Sequence, residues 1–465
     1  MTSKFFIFAF LLTTNFLSAQ DSLNMVRLAR WDDDSLPLAN PGGLNLQYSG
    51  CWGLAIKGRE YAVIGGARHV LFFDVTKPTQ PKLVGKFEGT KTNIWREFKS
   101  YKNRLYAVSD QTTEGLMIFD LSNTPATGEV KQTYWSNEFF NAAHTITLDT
   151  LSGLIYLNGT NVASQGMLVL SVKNNPDKPE LIANIQQLTC GYIHDSYVRR
   201  DTLYASSGYS GLCVYDFKDP KNPKFLASEA TGGYNHNNWL TINGHYAFYT
   251  EEVPRGRPIR LVDLKDLKNG EIKSVYYFLD NLLEPNLADT LKMAVPHNIY
   301  IQGHLLFDSQ YEDGLLVYDI SNPLLPVLVA RYDTHPENTV YNGYFGCWGN
   351  YPWLPSGTII TSDMQNGLSL FRLKIPVSST QAPNSELQAA IYPNPASEEV
   401  FIRLPNAVDA WVYRLLNPAG QVLRSGTVTG HSEASLRVRE IPAGLYFIEI
   451  RSNDGKSTMK RVIVE

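Results

Sequence analysis

Four of the nine histidines in this chain, His144, His194, His236 and His297, stand at one station of a recurring segment, where a first strand would begin. Neutral imidazole is a common ligand for divalent metals. Carboxylates and amides cluster at the same station: Asp195 follows His194, Glu97 follows Arg96, and Asn237, Asn238 and Asn298 lie alongside. If the four rings converge, they can hold a divalent metal. Three protein ligands and a water would then suit Lewis-acid hydrolysis, with His194 and Asp195 orienting and deprotonating that water. The same ring of side chains can instead bind a polar or anionic ligand, with Arg96 as its charged anchor. A plainer role competes with both. Polar groups lining a water-filled channel need partners, and imidazole pairs well with backbone carbonyls.

Convergence depends on the elements that carry these residues. An apolar run ending near an aspartate recurs along the chain as VLFFDV, LMIFDL, MLVLSV, LCVYDF, IRLVDL, LLVYDI and LSLFRL. These runs end at Val75, Leu121, Val172, Phe217, Leu264, Ile320 and Leu373, in steps of 46, 51, 45, 47, 56 and 53 residues. A period of about 40–50 residues fits a four-stranded propeller blade. The runs alternate poorly between apolar and polar residues, as a strand buried on both faces should. Phe98–Tyr101, Leu105–Ser109 and Leu116–Leu121 parse as the first three strands of one blade. Gly115 sits in the turn between the last two, where positive φ suits glycine. Seven units place Trp52, Arg96, the four histidines and Trp348 around one axis.

The seventh unit lacks a fourth strand before the chain turns polar at Pro376. Leu28-Ala29-Arg30-Trp31-Asp32 resembles Val329-Ala330-Arg331-Tyr332-Asp333, so the N-terminal segment is expected to complete blade seven and close the ring. The reading is an all-β chain: a seven-bladed β-propeller over residues 20–375, then a small β-sandwich. Cys51 and Cys347 occupy equivalent Cys-Trp-Gly triplets in neighbouring blades, and Cys190 and Cys213 share blade four. Both pairs are candidate disulfides.

The strand-end aspartates Asp74, Asp120, Asp216, Asp263 and Asp319 read as turn caps accepting backbone N–H groups. Asp32, Asp33 and Asp34 lack the glycine and terminal glutamate of a calcium loop and read as solvated charge. No Gly-rich phosphate loop, nucleophile elbow or helical His pair occurs. With 41 basic and 45 acidic residues, net charge −4, the chain has no basic patch to suggest nucleic acid.

The termini carry transport information. Lys4, the apolar run Phe5–Leu12 and Leu17-Ser18-Ala19 form a signal peptide over residues 1–19. No apolar stretch approaches the ~18 residues of a spanning helix. Export permits disulfides. Residues 376–388 read as a polar linker, and residues 389–465 as short strands with Gly and Asn-Pro turns.

Two family resemblances follow. Tyr392-Pro393-Asn394-Pro395, Asn417-Pro418-Ala419-Gly420-Gln421, Pro442-Ala443-Gly444-Leu445-Tyr446 and the ending Lys460-Arg461-Val462-Ile463-Val464 make residues 389–465 resemble the C-terminal sorting domain of the type IX secretion system of Bacteroidetes. The resemblance implies recognition by the secretion machinery at the outer membrane, cleavage by a sorting peptidase, and release or attachment to surface lipopolysaccharide. Residues ~25–375 resemble LVIVD-repeat propellers of the choice-of-anchor B type. That likeness rests on Trp31-Asp32-Asp33, Cys51-Trp52-Gly53, Arg59-Glu60-Tyr61-Ala62, Trp95-Arg96-Glu97, Gly115–Asp120 and His194-Asp195. It implies fold and location but no established activity. Asp149-Thr150-Leu151, Asp201-Thr202-Leu203 and Asp289-Thr290-Leu291 also resemble short Bacteroidetes O-glycosylation sequons.

The functional expectation is a secreted or surface-attached binding protein that presents an axial pocket to an extracellular ligand. Arg96, His144, His194, Asp195, His236 and His297 are its candidate site, and the four histidines its candidate metal ligands. A metal-dependent hydrolase or lactonase and a purely structural surface component are the alternatives.

Overall fold

The computed structural model describes residues 22–230, 232–278, 294–324, 326–338, 341, 343–374, 387, 389–404, 410–416, 422–452 and 457–465. The signal segment 1–19, the linker 376–388 apart from Leu387, the motif Asn417–Gln421 and the tripeptide Asp289-Thr290-Leu291 lie outside them. The chain divides into two compact units, Met1–Pro376 and Val377–Glu465.

The first unit is a β-propeller. Its described residues form seven antiparallel sheets, six of four strands and one of five. The first strands are Tyr48–Ile56, Arg96–Tyr101, Thr145–Asp149, Asp195–Arg199, Tyr234–Leu240, Asn298–Gln302 and Cys347–Tyr351. Each touches the next, and the last touches the first, so the sheets form a closed circle. They are numbered here as blades one to seven. Third strands such as His69–Asp74, Leu116–Asp120 and Leu212–Asp216 are buried throughout except at the final aspartate. Each fills the layer between two blades, which explains the weak alternation of their sequences. A fully buried Val, Leu, Ile or Phe there contributes about 1.5–3 kcal/mol. Fourth strands such as Lys82–Glu88 have no buried residue and form the rim.

Two local devices repeat from blade to blade. Gly115 has φ +65°, and a Cβ there would lie 2.2 Å from the carbonyl oxygen of Ser136 on the fourth strand. Gly211, Gly314 and Gly367 meet their fourth-strand carbonyls in the same way. Each strand-end aspartate accepts the backbone N–H two residues on: Asp74 from Thr76, Asp120 from Ser122, Asp216 from Lys218, Asp263 from Lys265 and Asp319 from Ser321. These carboxylates fix turns and take no part in the axial site.

The N-terminal strand Met25–Trp31 pairs antiparallel with Gly367–Leu373 and supplies the outer strand of blade seven, with Met25 opposite Leu373 and Trp31 opposite Leu368. The segment also reaches the neighbouring blade. Ser22–Leu23 pairs with Val327–Tyr332 as a fifth strand of blade six. Asn24 lies between them at φ 48°, a left-handed conformation that asparagine tolerates. Its side chain donates to Val329 O at 2.9 Å, and its carbonyl accepts from Lys374 N at 2.8 Å. One short segment thus pins two blades together.

Of the two candidate disulfides, Cys190–Cys213 is formed. It closes a separation of 23 residues, a constraint worth about 3 kcal/mol. Cys51 and Cys347 are free and buried, so the seam bridge is not made. The register shift between Tyr48 and Cys51 sets Cys51 opposite Ile64, whereas Cys347 lies opposite Asp363, so the two thiols enter different interblade layers. Cys51 packs with Ile64, Leu71 and Ile360, and Cys347 with Phe307, Val317 and Ile359. Burial pushes the Cys51 thiol up to about 12.

The second unit consists of two sheets. Ala390–Tyr392, Glu399–Arg403 and Glu433–Arg437 form one; Val422–Thr429, Ala410–Leu416, Gly444–Ser452 and Ser457–Val464 form the other. Val400, Ile402 and Leu436 from the first share a core with Trp411, Ile448 and Val462 from the second. Apolar residues from both sheets meeting in one core define a small sandwich.

Candidate functional site

Four imidazoles lie side by side where the first strands of blades three to six begin. Ring centroids are 4.3 Å apart for His144 and His194, 4.2 Å for His194 and His236, and 4.0 Å for His236 and His297. Trp348 continues the row at 4.8 Å from His297. The rings form an arc over half the circle rather than a closed ring.

A single hydrogen-bond rule orders the arc. His194 Nδ1 donates to His236 O (3.1 Å), His236 Nδ1 to His297 O (3.1 Å), and His297 Nδ1 to Trp348 O (2.5 Å). A carbonyl can only accept, so each Nδ1 carries the proton, and the neutral ring keeps a lone pair on Nε2. His144 pairs its Nδ1 with Asp110 Oδ2 at 2.9 Å. Burial holds the pKa of His194 and His236 well below the ordinary imidazole value, and lowers that of His297 to about 3. All three are neutral at physiological pH, the form that binds metal.

The arc and its surroundings enclose a cavity of about 20 Å³ for the centres of water-sized atoms, lined also by Glu97, Lys99, Asp195, Asn298 and Tyr300. That is room for about one water or one ion. Asp195 lines it but does not pair with His194. Its oxygens accept from Asn237 Nδ2 at 2.7 Å and from Ser196 N at 2.8 Å. With those oxygens engaged and His194 Nδ1 turned to His236 O, no hydrogen bond joins Asp195 to His194. Glu97 accepts from Trp348 Nε1 at 3.2 Å. Burial raises the pKa of both carboxylates.

Arg96 shares the station but is not among the residues lining the cavity. It is 1% exposed and bridges to Glu114 Oε1 at 3.0 Å, with further bonds to Gly66 O and Lys91 O. With its charge neutralised inside the protein, it cannot anchor an axial ligand. Trp52 also departs from the station. A register shift between Tyr48 and Cys51 moves it to the far end of the axis. There it joins Trp239, Tyr300 and Tyr351 around Trp353, with centroids 5.0–6.0 Å from that ring. Lys99 Nζ lies 4.3 Å from the Trp52 ring. Aromatic side chains therefore plug the axis below the imidazoles.

Above the arc the walls are tyrosines. Tyr234 packs on His194 at 5.4 Å and Tyr311 on His297 at 4.7 Å. Tyr209, 61% exposed, leans on Tyr234 at 5.2 Å. Glu252 stands among them, its carboxylate oxygen and one ring nitrogen each of His194 and His236 all within 4.8 Å of one another. Tyr311 Oη donates to Glu252 Oε1 at 3.0 Å, and burial raises the Glu252 pKa. Neither Glu252 nor Tyr311 was picked out in the sequence, nor was Asp110. All three lie at or just beyond the end of a second strand: Arg104–Ser109, Tyr246–Val253 or Leu305–Gln310. An antiparallel hairpin returns that end to the start of the first strand. Polar residues there are the signal that would have found them.

Residues 390–465 match the family model described as the secretion system C-terminal sorting domain, and residues 298–334 match the LVIVD repeat. No curated protein matches. Among solved structures, a protein from Lactobacillus plantarum is 13% identical over 84% of this chain and 99% of its own, with a TM-score of 0.49. The computationally designed protein Ika8 is 8% identical over 75% and 99%, with a TM-score of 0.47. The sorting domain marks proteins that are secreted by the type IX system and often held at the cell surface, and implies contact with that machinery. Among the described residues no helix is long and apolar enough to cross a membrane.

Proposed function

We propose that this β-propeller, sorted for type IX export by its last domain, is an extracellular binding protein whose working site is the axial cavity beneath the tyrosine mouth. One observation carries the reading. Every imidazole of the arc has its Nδ1 committed to protein, and no hydrogen bond among the described residues engages an Nε2 of the four. A ring nitrogen lone pair without a protein partner is available to accept from a ligand. The aromatic plug makes the mouth the way in, and the exposed Tyr209 face offers stacking area for a larger polar ligand.

The test is a thermal-shift screen of the full chain against soluble glycans, peptides and organic acids. The expected result is at least one compound that raises the melting temperature of the wild type but not of His236→Gln. A screen in which no stabilisation depends on His236 would remove the reading.

A structural reading also has support, because the Nδ1–carbonyl bonds link blades four, five, six and seven in series. It expects His236→Gln and His297→Gln to lower stability while no ligand effect depends on either residue.

A further inference from the structure

We propose that His194, His236 and Glu252 form a binding site for one divalent first-row transition metal, with Tyr311 orienting the carboxylate. The proposal deepens the axial-cavity reading and rests on it.

Three observations converge on this trio. Its ligand atoms lie within 4.8 Å of one another. In a tetrahedral site with bonds of about 2.1 Å, ligand atoms sit about 3.4 Å apart, so roughly an ångström of closure completes the site. Glu252 is the residue free to supply it. It is only partly covered, whereas both imidazoles are fixed by their carbonyl bonds. Those bonds also hold each ring in the tautomer that presents Nε2, the outer-shell arrangement found around metal-binding histidines. Lastly, Tyr311 Oη donates to Glu252 and its ring packs on His297. The carboxylate thus has a partner that holds one oxygen and leaves the other for an ion.

The donor set selects the metal. Two imidazoles and one carboxylate suit zinc, cobalt, nickel or iron rather than calcium or magnesium, which prefer all-oxygen sites. Three protein ligands leave a fourth position open. That position would accept water or an oxygen of a carboxylate- or oxyanion-bearing ligand. His144 stands apart from the trio because its ring nitrogens are not among the ligand atoms that converge within 4.8 Å.

The experiment titrates cobalt(II) chloride into the chelator-treated full chain, reading visible absorption and bound metal per chain. One equivalent is expected. Glu252→Gln and His194→Gln should each weaken binding at least 10-fold, and Tyr311→Phe about 10-fold. His144→Gln should leave the affinity within about threefold. If His194→Gln does not fold, Glu252→Gln, at a partly exposed position, decides alone.

No stoichiometric cobalt in a chain that melts cooperatively overturns the site. So does binding that Glu252→Gln leaves intact, or binding that His144→Gln abolishes. Repeating the ligand screen on the chelator-treated chain separates the two proposals. A ligand that still depends on His236 without metal, where cobalt does not bind, would sink the metal site and keep the binding reading.

Discussion

Arg96 in blade two and His194 in blade four occupy the same station of equivalent strands, yet they do opposite things. Arg96 is consumed by Glu114 of its own blade and by carbonyls that include Gly66 O of blade one. Burial would raise the Glu114 carboxyl, but the Arg96 guanidinium holds it below the ordinary range, and the remaining donors find backbone carbonyls. His194 spends one nitrogen on the next blade and keeps the other. Repetition fixes where a side chain stands. The count of its polar atoms against nearby partners decides whether any remain for a ligand.

The largest test breaks the blade-two side. Glu114→Gln leaves a guanidinium buried without its counter-charge, which should cost about 3–5 kcal/mol in a urea melt. Arg96→Met combined with Glu114→Gln should recover much of that. A loss below about 1 kcal/mol for the single change would mean that Arg96 is not spent as described.

Next in size is the disulfide, since Cys190 lies four residues before His194 on the segment that delivers it. Replacing both Cys190 and Cys213 with serine should cost about 3 kcal/mol. The cost should appear without any change at Arg96–Glu114, whose elements lie in blade two.

Acid sharpens the contrast. An imidazole with a folded pKa of about 3 against 6.5 takes up its proton more readily when unfolded. Stability from burying His297 neutral is therefore complete above pH 6.5 and drains away as pH falls toward 3. The expected loss is about 2 kcal/mol by pH 5. His194 and His236 act in the same direction. Glu97 and Asp195 oppose them, since raised carboxyl pKa values relieve a folding cost on protonation. Urea midpoints measured from pH 7 to pH 4 should fall, and His297→Gln should flatten that slope. An unchanged slope would show that the ring is not held neutral.

The smallest effect belongs to the carbonyl link itself. His236→Gln should lower stability by about 1 kcal/mol, well under the cost at Glu114. An equal cost would mean that the arc is a structural girdle first.

Much of this was legible beforehand because it obeys local rules. The apolar–aspartate runs betray strands buried on both faces, Gly115 marks a turn only glycine fits, and the strand-end aspartates cap in place. Pairings across a hairpin were harder to read. Glu252 and Tyr311 reach the imidazoles, and Glu114 reaches Arg96, from the ends of second strands or the turns beyond them, whose offset depends on turn lengths that no periodicity reports. The shift at Tyr48–Cys51 that carries Trp52 away is equally silent, since an added residue leaves the composition unchanged. Cys51 and Cys347 misled because the same shift breaks the equivalence of their two Cys-Trp-Gly triplets.

The segment around Asn24 has a consequence for biogenesis. Its strands precede those of every blade, but their partners Val327–Tyr332 and Gly367–Leu373 are among the last strands of the propeller to emerge. A nascent chain therefore cannot seal blades six and seven until nearly the whole propeller has been made. Any fragment ending before Gly367 would keep a raw sheet edge, prone to mispairing with its neighbours. Joining the two ends by circular permutation, with new termini in a loop between blades two and three, should abolish that delay.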